Sequence, residues 1–124
     1  MPFTVRVDRD QNKDYELELA GWGTDYRDPL TVMRIFMSSS DLGGVTYSND
    51  EYDKLIQATR TSHAADVQAR FDDFIKAQDI LINQDAIIAP IYNRSLSTLV
   101  NPNVKDLYWH AYGPSYSLKW AYKE

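Results

Sequence analysis

The chain contains no cysteine, only two histidines, five glycines and five prolines, and no long apolar run. Without cysteine there is no disulfide framework, thiolate nucleophile or thiolate metal site, and the redox compartment is left open. His63 and His110 lie far apart in the sequence and form no helical pair, so metal-ligand spacing is missing and both read as structural or solvated. A nucleophile elbow, a phosphate-cradling glycine loop and a zinc motif are also missing. Cations are in deficit, 13 Lys and Arg against 18 Asp and Glu, and the net charge of -5 argues against a nucleic-acid partner, which would need clustered basic residues to displace counterions. No stretch approaches the ~18 apolar residues of a membrane span, and Met1-Pro2-Phe3-Thr4 lacks the charged and apolar regions of a signal peptide. The expectation is a soluble chain that does not direct its own export.

What is present is an ordinary globular composition, 44% hydrophobic and 25% charged, with a surplus of aromatic residues. Nine Tyr and three Trp offer flat amphipathic contact area, which suits a binding surface and equally suits half-buried strands. At 124 residues the chain is long enough for one compact domain that buries about two-thirds of its unfolded-state surface.

Along the chain, Phe3, Val5 and Val7 alternate like a strand, and Asp10 to Lys13 read as a turn. Tyr15, Leu17 and Leu19 alternate with Glu16 and Glu18, predicting a strand with its apolar side buried. It ends at Trp22 between Gly21 and Gly23, a permissive backbone that suits presentation of a side chain to a ligand. Asp28-Pro29 predicts a helix cap followed by a short helix to about Met37, then a polar loop over 38–44. Ser48 and Glu51 have capping-box spacing, with Tyr47 and Tyr52 as its staple, and predict a helix over 49–59. A longer helix over 64–83 should bury Val67, Phe71, Phe74, Ile75, Gln78 and Ile82. Ile87 to Tyr92, Leu96 to Val100 and the alternating Tyr116, Leu118, Trp120 and Tyr122 predict three further strands, with Pro90 placing the first at an edge or a strand start.

Asp25 is the residue of most chemical interest. A carboxylate in a partly desolvated cleft favours a cationic group such as an α-ammonium; a loop aspartate also makes an ordinary turn, and the residues alone leave both open. Trp22 likewise reads as a ligand platform or as a half-buried core residue. Asp25 and Asp28 near an aromatic ring suggest, as an alternative, a carbohydrate-active enzyme, although Asp28 is better explained as the helix cap. A third alternative is an interaction module that binds protein through its aromatic strands.

Four segments carry a resemblance: Gly21-Trp22-Gly23-Thr24-Asp25-Tyr26-Arg27-Asp28-Pro29, Tyr47-Ser48-Asn49-Asp50-Glu51-Tyr52-Asp53-Lys54-Leu55, Ala89-Pro90-Ile91-Tyr92 and Leu99-Val100-Asn101-Pro102-Asn103-Val104. In order and spacing they resemble the C-terminal region of the oligopeptide- and dipeptide-binding proteins of ABC importers, over nearly the whole chain. The resemblance implies an α/β (α+β) architecture, the C-terminal fragment of a two-lobed protein several times longer, with helices packed on a mixed sheet. It implies a short helix at residues 3–8 in place of the strand, residues 1–102 in the second lobe, and residues 103–124 returning to the first lobe as an orphaned strand segment. It implies a non-catalytic binding protein without cofactor or metal: Asp25 pairs with the peptide α-ammonium, Trp22 matches a cleft tryptophan, and Gly23 lies between them. The implied partners are a peptide and the ABC permease, and the implied location is extracytoplasmic, with the parent tethered at the membrane as a lipoprotein. Without the first lobe, the aromatic face within residues 107–122 is expected to drive self-association.

Overall fold

In the computed structural model, which describes residues 2–42, 45–93 and 95–124, the first element is a helix, α1 (Phe3–Gln11). The family resemblance is right here and the local alternation is misleading. Phe3 and Val5 stay exposed and α1 buries no residue, so no sheet face exists to reward the strand pattern. The helix closes at Asn12, whose amide donates to the Asp8 carbonyl at 2.8 Å, and Lys13 turns the chain with φ 57°. Residues 15–20 form no regular element, with a bend at Glu16, and pair with no strand among the described residues. Their apolar side is also not the buried one: Leu17 and Leu19 are exposed, and Glu18 accepts from Arg6 of α1 at 2.6 and 2.8 Å.

Asp28 caps the next helix as expected, its carboxylate accepting from the Leu30 N–H at 2.9 Å. Helix α2 (Leu30–Met33) tightens into a 3-10 turn (Arg34–Phe36). Of the loop expected over 38–44, Gly43 and Gly44 lie outside the described residues. Helix α3 (Asp50–Ala58) is capped by Asn49 rather than Ser48. The Asn49 side-chain oxygen accepts from Glu51 and Tyr52 N–H groups, while its amide donates to Asp85, a pair of roles a serine hydroxyl at 48 is one residue too early to fill. The Ser48 hydroxyl instead meets that of Ser38. Tyr47 and Tyr52 do pack together, edge to face at 5.9 Å.

Helix α4 (Val67–Asp79) starts later than expected because Asp66 is its cap, accepting from the Ala69 N–H, and it runs on through a π-helical turn (Ile80–Gln84). Its buried side is Asp73, Phe74, Ala77, Ile80 and Leu81. Val67, Phe71 and Ile75, expected inside, are exposed. The helix is rotated so that Phe74 and Ala77 meet Tyr52 and Ile56 of α3, forming the core with Ile80 and Leu81. Ala77, fully buried and small, lets the two helices approach.

The chain forms two compact units, Met1–Gly23 with Asp28–Ala89, and Thr24–Arg27 with Pro90–Glu124. The first unit holds all the helices. In the second, β1 (Val104–Lys105) pairs antiparallel with β4 (Tyr122–Lys123), and β2 (Tyr108–Trp109) with β3 (Tyr116–Ser117). The turn between β2 and β3 uses Gly113 at φ 77°, a conformation that favours glycine. The α/β class stands, but the sheets formed among the described residues are two antiparallel pairs rather than one mixed sheet. The expected tail strand is likewise two strands, broken where the Ala121 N–H bonds back to the Leu118 carbonyl. Tyr116 and Ser117 pair with β2, and Tyr122 and Lys123 with β1.

Candidate functional site

The segment from Gly21 to Asp28 follows the irregular stretch after α1 and leads into α2. Gly21 and Gly23 have open space around them, and neither adopts the left-handed backbone, so no local contact or strain demands glycine at either position. Trp22 is 42% exposed. Asp25 is exposed as well. Trp22 and Gly23 belong to the first unit and Asp25 to the second. An exposed indole offers a flat apolar face, and a carboxylate offers a charge-assisted hydrogen bond to a cation.

The far end of the segment is fixed by a contact that sequence reasoning missed. Arg70 of α4 grips Asp28 through two parallel bonds, Nη1 to Oδ2 at 2.6 Å and Nη2 to Oδ1 at 2.9 Å. The same guanidinium donates from Nε to the carbonyl of Thr59, just past α3, and lies over the Phe74 ring at 5.0 Å. The Arg70 hydrogen bonds hold the Asp28 carboxyl below the usual carboxylate range, and the Leu30 N–H adds to the effect against partial burial. With both oxygens engaged by Arg70 and the Leu30 N–H, the helix cap and the ion pair account for Asp28. No local signal announces the pair: the two residues are 42 positions apart, and each is an ordinary surface residue by type.

His63 is structural. Its Nδ1 lies 2.6 Å from Oδ2 of Asp73, which is 5% exposed, and the contact ties the turn after α3 to α4. His110 sits between β2 and the Gly113 turn, where its N–H donates to the Ser115 carbonyl. Beside it the second unit shows an aromatic surface: Trp109 meets Tyr116 at 5.8 Å and Tyr108 meets Trp120 at 6.4 Å, all four substantially exposed. Among the described residues no helix is long and apolar enough to cross a membrane.

No family model matches the sequence. It is 30% identical over 122 residues, 98% of the chain, to a dipeptide-binding protein of Lactococcus lactis. Its structure superposes on the substrate-binding domain of an oligopeptide ABC transporter from Bacillus anthracis with a TM-score of 0.84 at 30% identity, covering 99% of this chain and 24% of that one. On the peptide-bound OppA of Listeria monocytogenes the TM-score is 0.78 at 37% identity, covering 98% of this chain and 22% of that one. These matches define an α/β fold of the substrate-binding class. Within that class the chain belongs to the family of dipeptide- and oligopeptide-binding proteins. It spans about 22% of the length of the Lactococcus relative.

Proposed function

We propose that this chain is the part of an ABC importer's peptide-binding protein that supplies one wall of the peptide cleft. Asp25 anchors the α-ammonium group of the peptide, Trp22 lies against its first residues, and Gly23 leaves room for the peptide backbone. The observation that carries this reading is the exposure of Trp22 and Asp25 on a segment pinned at Asp28, in a chain that matches peptide-binding proteins from end to end. Among the described residues nothing lies within 4 Å of a Cβ added at Gly23, which leaves open space there for a peptide.

In the whole protein, residues 1–102 belong to the second lobe and 103–124 return to the first. That protein acts outside the cytoplasmic membrane, tethered as a lipoprotein, and delivers peptides to its permease without chemistry of its own. Four relatives named as periplasmic support the location. Calorimetry of the full-length protein with a short peptide and with its N-acetylated form tests the reading. The free-amine peptide binds about tenfold or more tightly, the scale of one hydrogen bond to a charged group. Equal affinities rule out the amine anchor.

A further inference from the structure

We infer that Val67, Phe71 and Ile75 of α4 form a second packing face, covered in the whole protein by an apolar surface from the part of the parent that lies outside this chain. The stripe lies wholly within the first unit. The inference goes beyond the peptide-binding reading and does not depend on the amine anchor at Asp25.

Successive residues of an α-helix are turned by about 100°, and a helix that packs on one side needs an apolar arc of about that width. On α4 that arc is supplied by Phe74 and Ala77 and, past the helix end, Leu81, which share the core with Tyr52 and Ile56 of α3. Val67, Phe71 and Ile75 recur every four residues along the flank of this face, and they widen the apolar arc to about twice what one partner explains. All three are exposed, at 71%, 47% and 64%. The Phe71 ring meets the buried Phe74 ring edge to face at 6.3 Å, so the stripe continues the core outward and is not a scatter of single surface residues. Solvent has a different side of the helix. There Gln68 donates to Asp72 at 2.8 Å, Asn83 donates to Asp79 at 2.7 Å, and Lys76 is exposed. Area decides the occupant of the apolar stripe. Even aromatic side chains bury only ~150–250 Å² each, so three side chains of this size or smaller fall short of the ~800 Å² per partner of a stable interface between separate proteins. A surface on the same polypeptide needs no such area, because the covalent link presents it at high effective concentration. Most of the parent's length can supply it, since the chain covers 22% of the Lactococcus relative and 24% of the Bacillus anthracis structure.

The test compares maleimide labelling of Ile75→Cys with that of Lys76→Cys, its neighbour on the solvated side, each in the full-length protein; this chain has no cysteine of its own to interfere. Lys76→Cys is expected to label in the native protein and Ile75→Cys only after urea is added. Should Ile75→Cys fail to fold, hydroxyl-radical footprinting of the wild-type protein reads the same surface. Phe71 is then expected to resist oxidation as the buried Phe74 does, and to lose that resistance in urea. Equal labelling of the two variants in the native protein, or oxidation of Phe71 well above that of Phe74, overturns the inference. Protection of Ile75→Cys that disappears on dilution assigns the stripe to a second copy, and protection that appears only when the permease is added assigns it to the permease; either result also overturns it. Equal affinity for free-amine and acetylated peptides refutes the amine anchor and leaves the labelling unchanged, so the two failures are distinguishable.

Discussion

The hydroxyl of Tyr52 donates a 2.6 Å hydrogen bond to the carbonyl of Met33, joining the first turn of α3 to the end of α2 inside the core. Tyr52 is completely buried, and burial, ahead of the neighbouring Tyr47 and Asp53, pushes its hydroxyl well above the usual phenol range, so it remains a donor. Removing only that oxygen in Tyr52→Phe is expected to cost about 1 kcal/mol, and truncation to Ala about 3–5 kcal/mol by leaving a cavity. Urea denaturation of the chain measures both. A Phe variant as stable as wild type would mean that the Met33 carbonyl is satisfied another way.

Asp10 predicts an unusual pH response. Its pKa is raised, first by desolvation, then by the charge and hydrogen bond of Glu18, with Arg6 opposing. A carboxyl whose folded pKa exceeds its unfolded value binds protons more tightly when folded. Its contribution is therefore fully present below the unfolded pKa, near 3.9, and is lost as pH rises through the folded value. Asp10→Asn is expected to raise the melting temperature at neutral pH and to lose that advantage in acid. Asp28 has the opposite sign: its lowered pKa makes the Arg70 pair stabilising above the usual carboxylate range and lost as pH falls through the folded value. Melting curves from pH 3 to 7 separate the two, and an Asp10→Asn variant less stable than wild type at pH 7 would contradict the first.

The aromatic surface of the second unit predicts association of the isolated chain. Tyr108, Tyr116, Leu118, Trp120 and Tyr122 are each more than half exposed, and the two-residue strands leave short edges. Light scattering is expected to show dimers or larger species at high concentration, reduced by Trp120→Ser with Tyr116→Ser. A strictly monomeric chain whose tail also resists proteolysis would contradict this.

The helices were legible where local chemistry is decisive. Asp28-Pro29, and the Tyr47-Tyr52 pair ahead of an apolar period, mark α2 and α3 because caps and first turns are short-range devices. The capping residue itself moved to Asn49, since only the fold brings Asp85 within reach of its amide. The buried side of α4 was misjudged because Val67, Phe71 and Ile75 also lie on one helical stripe, and periodicity does not say which stripe faces a partner. Strands were the weakest reading: residues 15–20 and 87–100 alternate or run apolar, but a strand needs a second strand, and the described residues contain none beside them. The proposed site rests on the pattern of the Gly21 to Pro29 segment taken with its distant companions. The Arg70 clamp, a long-range pair of common residues, was not legible.

The central claim is that Asp25 recognises a peptide amine. The most direct measurement is calorimetry of the full-length protein and its Asp25→Asn variant, each with a peptide bearing a free or an acetylated N-terminus. The account predicts that the substitution weakens the free-amine peptide by about 1.5–3 kcal/mol, the usual scale for a hydrogen bond to a charged group, and changes the acetylated peptide little. Equal losses for the two peptides, or no loss for either, would contradict it.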